Sequence, residues 1–295
     1  EMTTGELKSH LQANWEELKL QLLSGQYNPK AVRRVEIPKA KGGKRQLGIP
    51  TVLDRMLQQA LFQELDKLYD ATFSSYSYGF RRGRSAHQAI EQALHYLNAG
   101  YRYVVEIDLE QFFDRVNHDK LMHQLSERIS DKRVLKLIRR YLQSGIMVNG
   151  VVIPNREGTP QGGNLSPILS NIVLDQLDKE LESRGHHFVR YADDVSIYVR
   201  TQRAGERVLQ STIRWIEKEL KLKVKRNKSG VRRVDQTHLL GFGFYDSAGG
   251  VRPRISKQAY ERLKAKLKKL TSRSWSLSME DRLIRINQVI KGWIN

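Results

Sequence analysis

Residues 187–199 read HFVRYADDVSIYV. Two short runs rich in aromatic and β-branched residues, about 187–191 and 195–199, are interrupted only by the Asp193–Asp194 pair, a pattern that predicts two strands joined by a tight turn. Adjacent carboxylates at such a tip repel each other, and Asp is a poor strand former, so something positive has to offset them. A third apolar run, YRYVVEIDL at 101–109, also terminates in an acid, Asp108. If that strand lies beside the hairpin, three carboxylates meet at one sheet edge. Mg²⁺ takes such an oxygen-rich set while keeping waters and substrate phosphates as its other ligands. Each acid alone reads as an ordinary turn residue; the three together point to metal-assisted chemistry.

Working outward, Leu7, Leu11, Trp15, Leu18 and Leu22 recur at helical spacing, which predicts an amphipathic helix over 4–23. Val35 and Ile37 face Leu47 and Ile49 across Lys41-Gly42-Gly43-Lys44, a hairpin over 33–49 with a basic tip. It is not a phosphate-binding P-loop, which needs Ser or Thr after GK and then a helix. Helices are expected over 51–69, after a Ser85 cap, across the helical spacing of 117–143, after a Ser166 cap with Pro167 in its first turn, and over about 208–220. IMVNGVVI at 146–153 reads as a hairpin turning at Asn149-Gly150, KLKVKRNK at 221–228 as a basic strand, and 238–256 as a further hairpin. This order of elements predicts an α+β fold, an antiparallel sheet covered on one face by helices.

The formal charge is +19, and it is concentrated. Residues 30–45, 200–233 and 251–273 carry net charges of +6, +9 and +8, leaving the rest at −4. Three basic segments on an otherwise ordinary chain form a track suited to a polyanion, with nucleic acid as the leading candidate. The absence of cysteine excludes disulfides, thiolate nucleophiles, iron–sulfur clusters and Cys-type zinc sites. Eight histidines contain no HExxH, so no zinc is expected. No apolar run approaches the ~20 residues that span a bilayer, so no membrane partner is expected and a cytoplasmic location is.

VVEIDLEQFFDRVNH (104–118), TPQGGNLSPILSNIVLDQLD (159–178), RYADDVSIY (190–198), KRNKSG (225–230) and LLGFGF (239–244) occur in the order and approximate spacing of the palm motifs of reverse transcriptases. IPKAKGGKRQLGIPTVLDR (37–55) and SYGFRRGRSAHQAI (77–90) resemble the fingers of the group II intron-encoded, or maturase, branch. The resemblance implies a right-hand polymerase with fingers over 1–100, palm over 101–270 and the start of a truncated thumb over 271–295; the 146–165 hairpin and PQGG loop would pack with the fingers. It implies that Asp108, Asp193 and Asp194 are the catalytic metal carboxylates, joined by the backbone carbonyl of Leu109, around two Mg²⁺ ions, with Mn²⁺ as an alternative. Phe113 resembles the steric gate that favours deoxynucleotides, Gln161 a contact to the incoming nucleotide, Lys39 and Arg45 the triphosphate contacts, and Lys228 the lysine near the leaving pyrophosphate. Gly241 falls in the motif that resembles the primer grip, and Arg81, Arg82 and Arg84 would touch the template backbone.

The implied function is RNA-directed DNA polymerisation for a mobile group II intron by two-metal nucleotidyl transfer, with binding of intron RNA as a maturase. The implied partners are an RNA template, a DNA or RNA primer and deoxynucleoside triphosphates, in a bacterial cytoplasm; homodimer formation stays open. Two alternatives remain at this point: a non-catalytic RNA-binding maturase scaffold, and an RNA-dependent RNA polymerase, which predicts an acid in place of Phe113 and commonly GDD in place of YADD.

Overall fold

The computed structural model describes residues 2–38, 44–148, 151–153, 157–159, 162–274 and 276–294. Helix α1 (Leu7–Leu23) leads to strands β1 (Val32–Pro38) and β2 (Lys44–Ile49), antiparallel from Arg33↔Ile49 to Pro38↔Lys44. The expected Lys41-Gly42-Gly43 tip lies outside the described residues. Helix α2 (Val52–Tyr69) begins where the Thr51 hydroxyl accepts the Asp54 N–H. Helix α3 (Ala86–Asn98) begins in a full capping box: Ser85 Oγ accepts from the Gln88 N–H, and the Gln88 side chain accepts from the Ser85 N–H.

Strand β3 (Tyr103–Ile107) ends just before Asp108 and is followed by a single turn, α4 (Phe112–Arg115). The helical spacing over 117–143 resolves into α5 (His118–Ser126) and α6 (Lys132–Gln143), capped by the side chains of Asn117 and Asp131. Strands β4 (Ile146–Val148) and β5 (Val151–Ile153) pair as expected around a turn outside the described residues. Strand β4 also runs parallel to β1, so the N-terminal sheet has the order β2-β1-β4-β5.

Helix α7 (Ser166–Ser183) corrects one expectation. Its N-cap position is Leu165, with no side-chain cap, and Ser166 is buried inside the first turn beside Pro167. Strands β6 (His187–Tyr191) and β7 (Asp194–Val199) form the expected hairpin. Helix α8 (Gln202–Trp215) runs into a wider π turn over Ile216–Leu220. KLKVKRNK does not form the expected strand. It makes an isolated bridge between Val224 and Leu109, just beyond β3, then turns back through Lys225–Ser229 into β8 (Gly230–Arg233). Strands β9 (His238–Leu239), β10 (Phe242–Ser247) and β11 (Gly250–Ile255) make a small antiparallel sheet. Helices α9 (Lys257–Leu270) and α10 (Met279–Ile294) follow.

The central sheet, β6-β7-β3-β8, is antiparallel throughout. Because side chains alternate across a pleated strand, Val105, Ile107, Phe188, Val195 and Ile197 share one face and pack against α5, α6, α7 and α8. Val104, Val189 and Tyr198 share the other, packing on α3 and the β9–β11 sheet around Phe244 and Val251. The sheet is therefore covered on both faces, where the sequence pattern predicted one. The α+β class stands.

Candidate active site

The β3–β7 register decides where the acids fall. Pairing runs from Tyr103↔Val199 to Ile107↔Val195, and one further step sets Asp108 opposite Asp194. Cross-strand partners share a face, so both carboxylates project on the side of Val104 and Tyr198, with Glu106 and Ser196 next along it. Asp193 occupies the two-residue turn closed by the Tyr191↔Asp194 pair, after Ala192 at φ 56°. Asp108 and the aspartate doublet 85 positions further along the chain thus meet at one end of the central sheet.

Their proximity shows in the protonation equilibria. Partial desolvation in this recess, followed by like charge from Asp193, Asp108 and Glu106, pushes the Asp194 carboxyl up to about 6. Asp194 nevertheless stays open to solvent on one side, so its neighbours' charge is partly screened. Burial also raises Glu106, against the opposing pull of Arg232, whose Nε lies 2.7 Å from the Glu106 carboxylate. Among the described residues, no three carboxylate or imidazole groups are drawn close enough to cage a metal as placed. The chemistry still fits a divalent cation: hard oxygen donors crowd one sheet face, and burial with their mutual repulsion raises the proton affinity of Asp194, a penalty that a bound cation would offset.

The backbone beside Asp108 is fixed by the basic segment that failed to become a strand. The Asp108 N–H donates to Ser229 Oγ at 3.0 Å, its carbonyl accepts from the Lys225 N–H, and the Glu110 N–H donates to the Lys223 carbonyl. In this antiparallel geometry the N–H and C=O of Leu109 point away from Val224. The Leu109 side chain is buried.

Phe113 lies on α4, half-buried, with its ring 5.2 Å from that of Phe112 in an edge-on contact. The loop before PQGG docks on this turn: the Gly158 N–H donates to the Val116 carbonyl, the Thr159 N–H to the Phe113 carbonyl, and His118 Nε2 meets the Gly158 carbonyl at 2.6 Å. Gly158 is at φ +86°, and a Cβ there would stand 2.6 Å from the Phe113 oxygen, so no larger residue fits without displacing α4. Between this loop, α4 and the β1–β2 sheet is a cleft of about 290 Å³ reaching Arg34, Gln46, Gln111 and Asp114. Gln161 lies outside the described residues.

Of the expected cations, Lys228 sits with Nζ 3.8 Å from Asp108 Oδ2. Lys39 and the Arg45 side chain lie outside the described residues; the Arg45 backbone pairs with Ile37. Arg82 is exposed, 3.6 Å from Asp66, and Arg84 lies over the Tyr78 ring. Arg81 is corrected. Its side chain is only 6% exposed, pairs with Asp70 at 2.7 Å and donates to the Ser74, Ser77 and Asp70 carbonyls, which leaves it inside the fold rather than facing a template. Gly241 takes φ +91° in the turn between β9 and β10, where its carbonyl accepts from the Ser256 N–H.

Sequence reasoning passed over Ser229, Glu106 and His118, and also Arg190, Asp178 and Asn171. The last three left a signal: an Arg inside an apolar strand, and an Asn and Asp seven apart on the buried stripe of α7. Such groups are retained in a core only when they satisfy one another.

A family model for reverse transcriptase (RNA-dependent DNA polymerase) matches residues 37–244, which takes in the central sheet and all three carboxylates. The chain belongs to the reverse transcriptase family. RNA-directed DNA polymerase is accordingly its enzyme class. A second model, for the group II intron maturase-specific domain, matches residues 260–295. The chain is 33% identical over 267 residues to Protein YkfC of Escherichia coli (strain K12), covering 78% of this chain and 70% of YkfC. It is 39% identical over 159 residues to the group II intron-encoded protein LtrA of Lactococcus lactis subsp. cremoris, covering 54% of this chain and 26% of LtrA. It therefore spans about a quarter of LtrA. Among solved structures, apo telomerase from Candida tropicalis superposes with a TM-score of 0.62 at 13% identity over 95% of this chain and 62% of that one. Telomerase from Candida albicans, in complex with a fragment of telomeric RNA, gives 0.59 at 14% over 91% and 54%. At such identities the likeness speaks for the fold. Among the described residues no helix is long and apolar enough to cross a membrane.

Proposed function

We propose that this chain copies RNA into DNA by two-metal nucleotidyl transfer for a mobile group II intron, and binds the intron RNA as a maturase. The observation that supports it best is the β3–β7 register, which sets Asp108 and Asp194 on one sheet face beside Asp193. Asp108, Asp193, Asp194 and the Leu109 carbonyl would hold two Mg²⁺ or Mn²⁺ ions. When bound, the ions supply activation of the primer 3′ hydroxyl and charge neutralisation around the α-phosphate and leaving pyrophosphate.

The chain's own residues do the rest. Lys228 is within reach of the carboxylate cluster, where it neutralises charge near the departing pyrophosphate or donates a proton to it. Lys39 and Arg45 clamp the triphosphate, Arg as a fork and Lys as a point charge. Gln161 contacts the nucleotide. Phe113, its backbone held by Thr159, presents an aromatic face to the sugar and excludes a 2′ hydroxyl. Arg82 and Arg84 contact the template backbone, and the turn at Gly241 supports the primer end. The full assembly contains template, primer and deoxynucleoside triphosphates in a bacterial cytoplasm.

Primer extension on an RNA template with Mg²⁺ tests the proposal. Wild type extends the primer and Asp193→Asn does not. Tight RNA binding by a wild-type chain that never extends a primer would instead make it an RNA-binding scaffold. Preference for ribonucleotides would make it an RNA polymerase.

A further inference from the structure

Arg190 stands in β6 three residues before Asp193, and its side chain is wholly buried. Its guanidinium is fully organised. Nε donates to Asp178 Oδ1 at 2.7 Å and Nη2 to Asp178 Oδ2 at 2.6 Å, a two-pronged grip on a carboxylate that is itself 0% exposed. Nη1 donates to Asn171 Oδ1 at 2.9 Å and, in the other direction, to the Ala192 carbonyl at 2.9 Å. That carbonyl belongs to the peptide linking Ala192 to Asp193. The same turn is held from its side by the segment before α3: Arg190 exchanges backbone hydrogen bonds with Tyr76 and Tyr78, and Asn171 Nδ2 donates to the Gly79 carbonyl. Gly79 lies so close that a Cβ would fall 2.2 Å from the Ala192 nitrogen.

A buried ion pair is seldom needed for stability, since apolar side chains of similar volume often serve as well. This pair has a feature that stability alone does not require, a donor left over for the peptide that leads into the doublet. Only the planar, multi-donor guanidinium can grip a carboxylate with two prongs and still reach a carbonyl two residues along. Ala192 meanwhile holds φ 56°, which an L residue keeps only when its surroundings enforce it. We propose that Arg190 is a positioning residue: anchored by Asp178 and Asn171, it fixes the Ala192–Asp193 peptide and so sets the direction in which Asp193 and Asp194 present their carboxylates. The inference rests on the reading of those two acids as the metal ligands.

The test removes both charges together, so that no uncompensated ion is left in the core. Arg190→Met with Asp178→Leu is expected to fold, read by circular dichroism and by RNA affinity within about twofold of wild type. Its maximal primer-extension rate is expected to fall at least about tenfold with the nucleotide KM little changed, and its Mn²⁺ affinity, titrated by electron paramagnetic resonance, at least about fivefold. Arg190→Lys with Asp178 intact is expected to fold but to lose Mn²⁺ affinity in the same way, because a point charge cannot hold both partners. Gly79→Ala leaves every charge in place and wedges a methyl against the turn; it is expected to weaken Mn²⁺ binding and slow extension in the same way. A folded double variant with wild-type rate and Mn²⁺ affinity would overturn the inference and leave Arg190 a core ion pair. If the double variant does not fold, wild-type behaviour of both Gly79→Ala and Asn171→Leu would overturn it equally. Asp193→Asn separates the levels: unchanged rate and Mn²⁺ affinity there would remove the doublet's proposed role, whatever Arg190 does.

Discussion

Asp194 binds its proton more tightly in the folded chain than an unfolded Asp does, because burial and then Asp193, Asp108 and Glu106 disfavour its charge. The resulting penalty on folding is absent below the ordinary value of 3.8 and complete above about 6. Without divalent ions, Asp194→Asn should therefore melt at a higher temperature than wild type above pH 6, with the gap closing by pH 4. Because solvent reaches this carboxylate, the gain should be under ~1 kcal/mol; a lower melting temperature at pH 7.5 would contradict the charge crowding. Phe113→Ala should raise ribonucleotide over deoxyribonucleotide incorporation by at least about tenfold, since the discrimination is steric; unchanged sugar selectivity would take Phe113 out of the gate. Arg81→Ala removes the ion pair to Asp70 and the guanidinium's hydrogen bonds to three carbonyls. It should cost about 3 kcal/mol in urea unfolding while RNA affinity in the folded fraction stays unchanged, which separates its structural place from the exposed Arg82.

At the scale of elements, the turn at α4 and the loop at 157–159 act as a unit. Gly158 at φ +86° and His118 against its carbonyl bring that loop onto the backbone of Phe113 and Val116. Gly158→Ala combines a strained φ with a 2.6 Å contact and should destabilise by about 1–3 kcal/mol. Steady-state extension should show a raised deoxynucleotide KM, and a variant with wild-type KM and stability would mean that the loop does not set the cleft. The amphipathic and capping patterns were legible here: the Ser85 capping box, the α2 stripe and the β6–β7 hairpin all follow local rules. KLKVKRNK was not legible, since alternation predicts a strand only if a partner edge is free. In the fold, the stretch bridges to Leu109 just past the end of β3 and turns back so that Ser229 can meet Asp108. Ser166 failed as a cap for a related reason. Gln58 Oε1 accepts the Leu165 N–H from across α2, and Ser166 is drawn inward with the helix start.

Over the whole molecule, the +19 charge should make RNA binding steeply salt-dependent, with the logarithmic slope changing by ~0.7–0.9 for each phosphate neutralised. A flat salt dependence in a filter-binding titration would contradict the basic track. The sequence by itself determined the class of fold, the strand–turn–strand around YADD and the presence of acids at the strand ends, because hydrophobic period, turn chemistry and charge are properties of neighbouring residues. Only the tertiary structure decided that Asp108 pairs with Asp194 on one face, that the central sheet is covered on both sides, that Arg81 is internal and that Arg190 reaches the Ala192 carbonyl. Each of these depends on strand register or on packing between separate elements, and a one-residue slip of β3 against β7 would leave the local pattern recognisable while turning Asp108 away from Asp194.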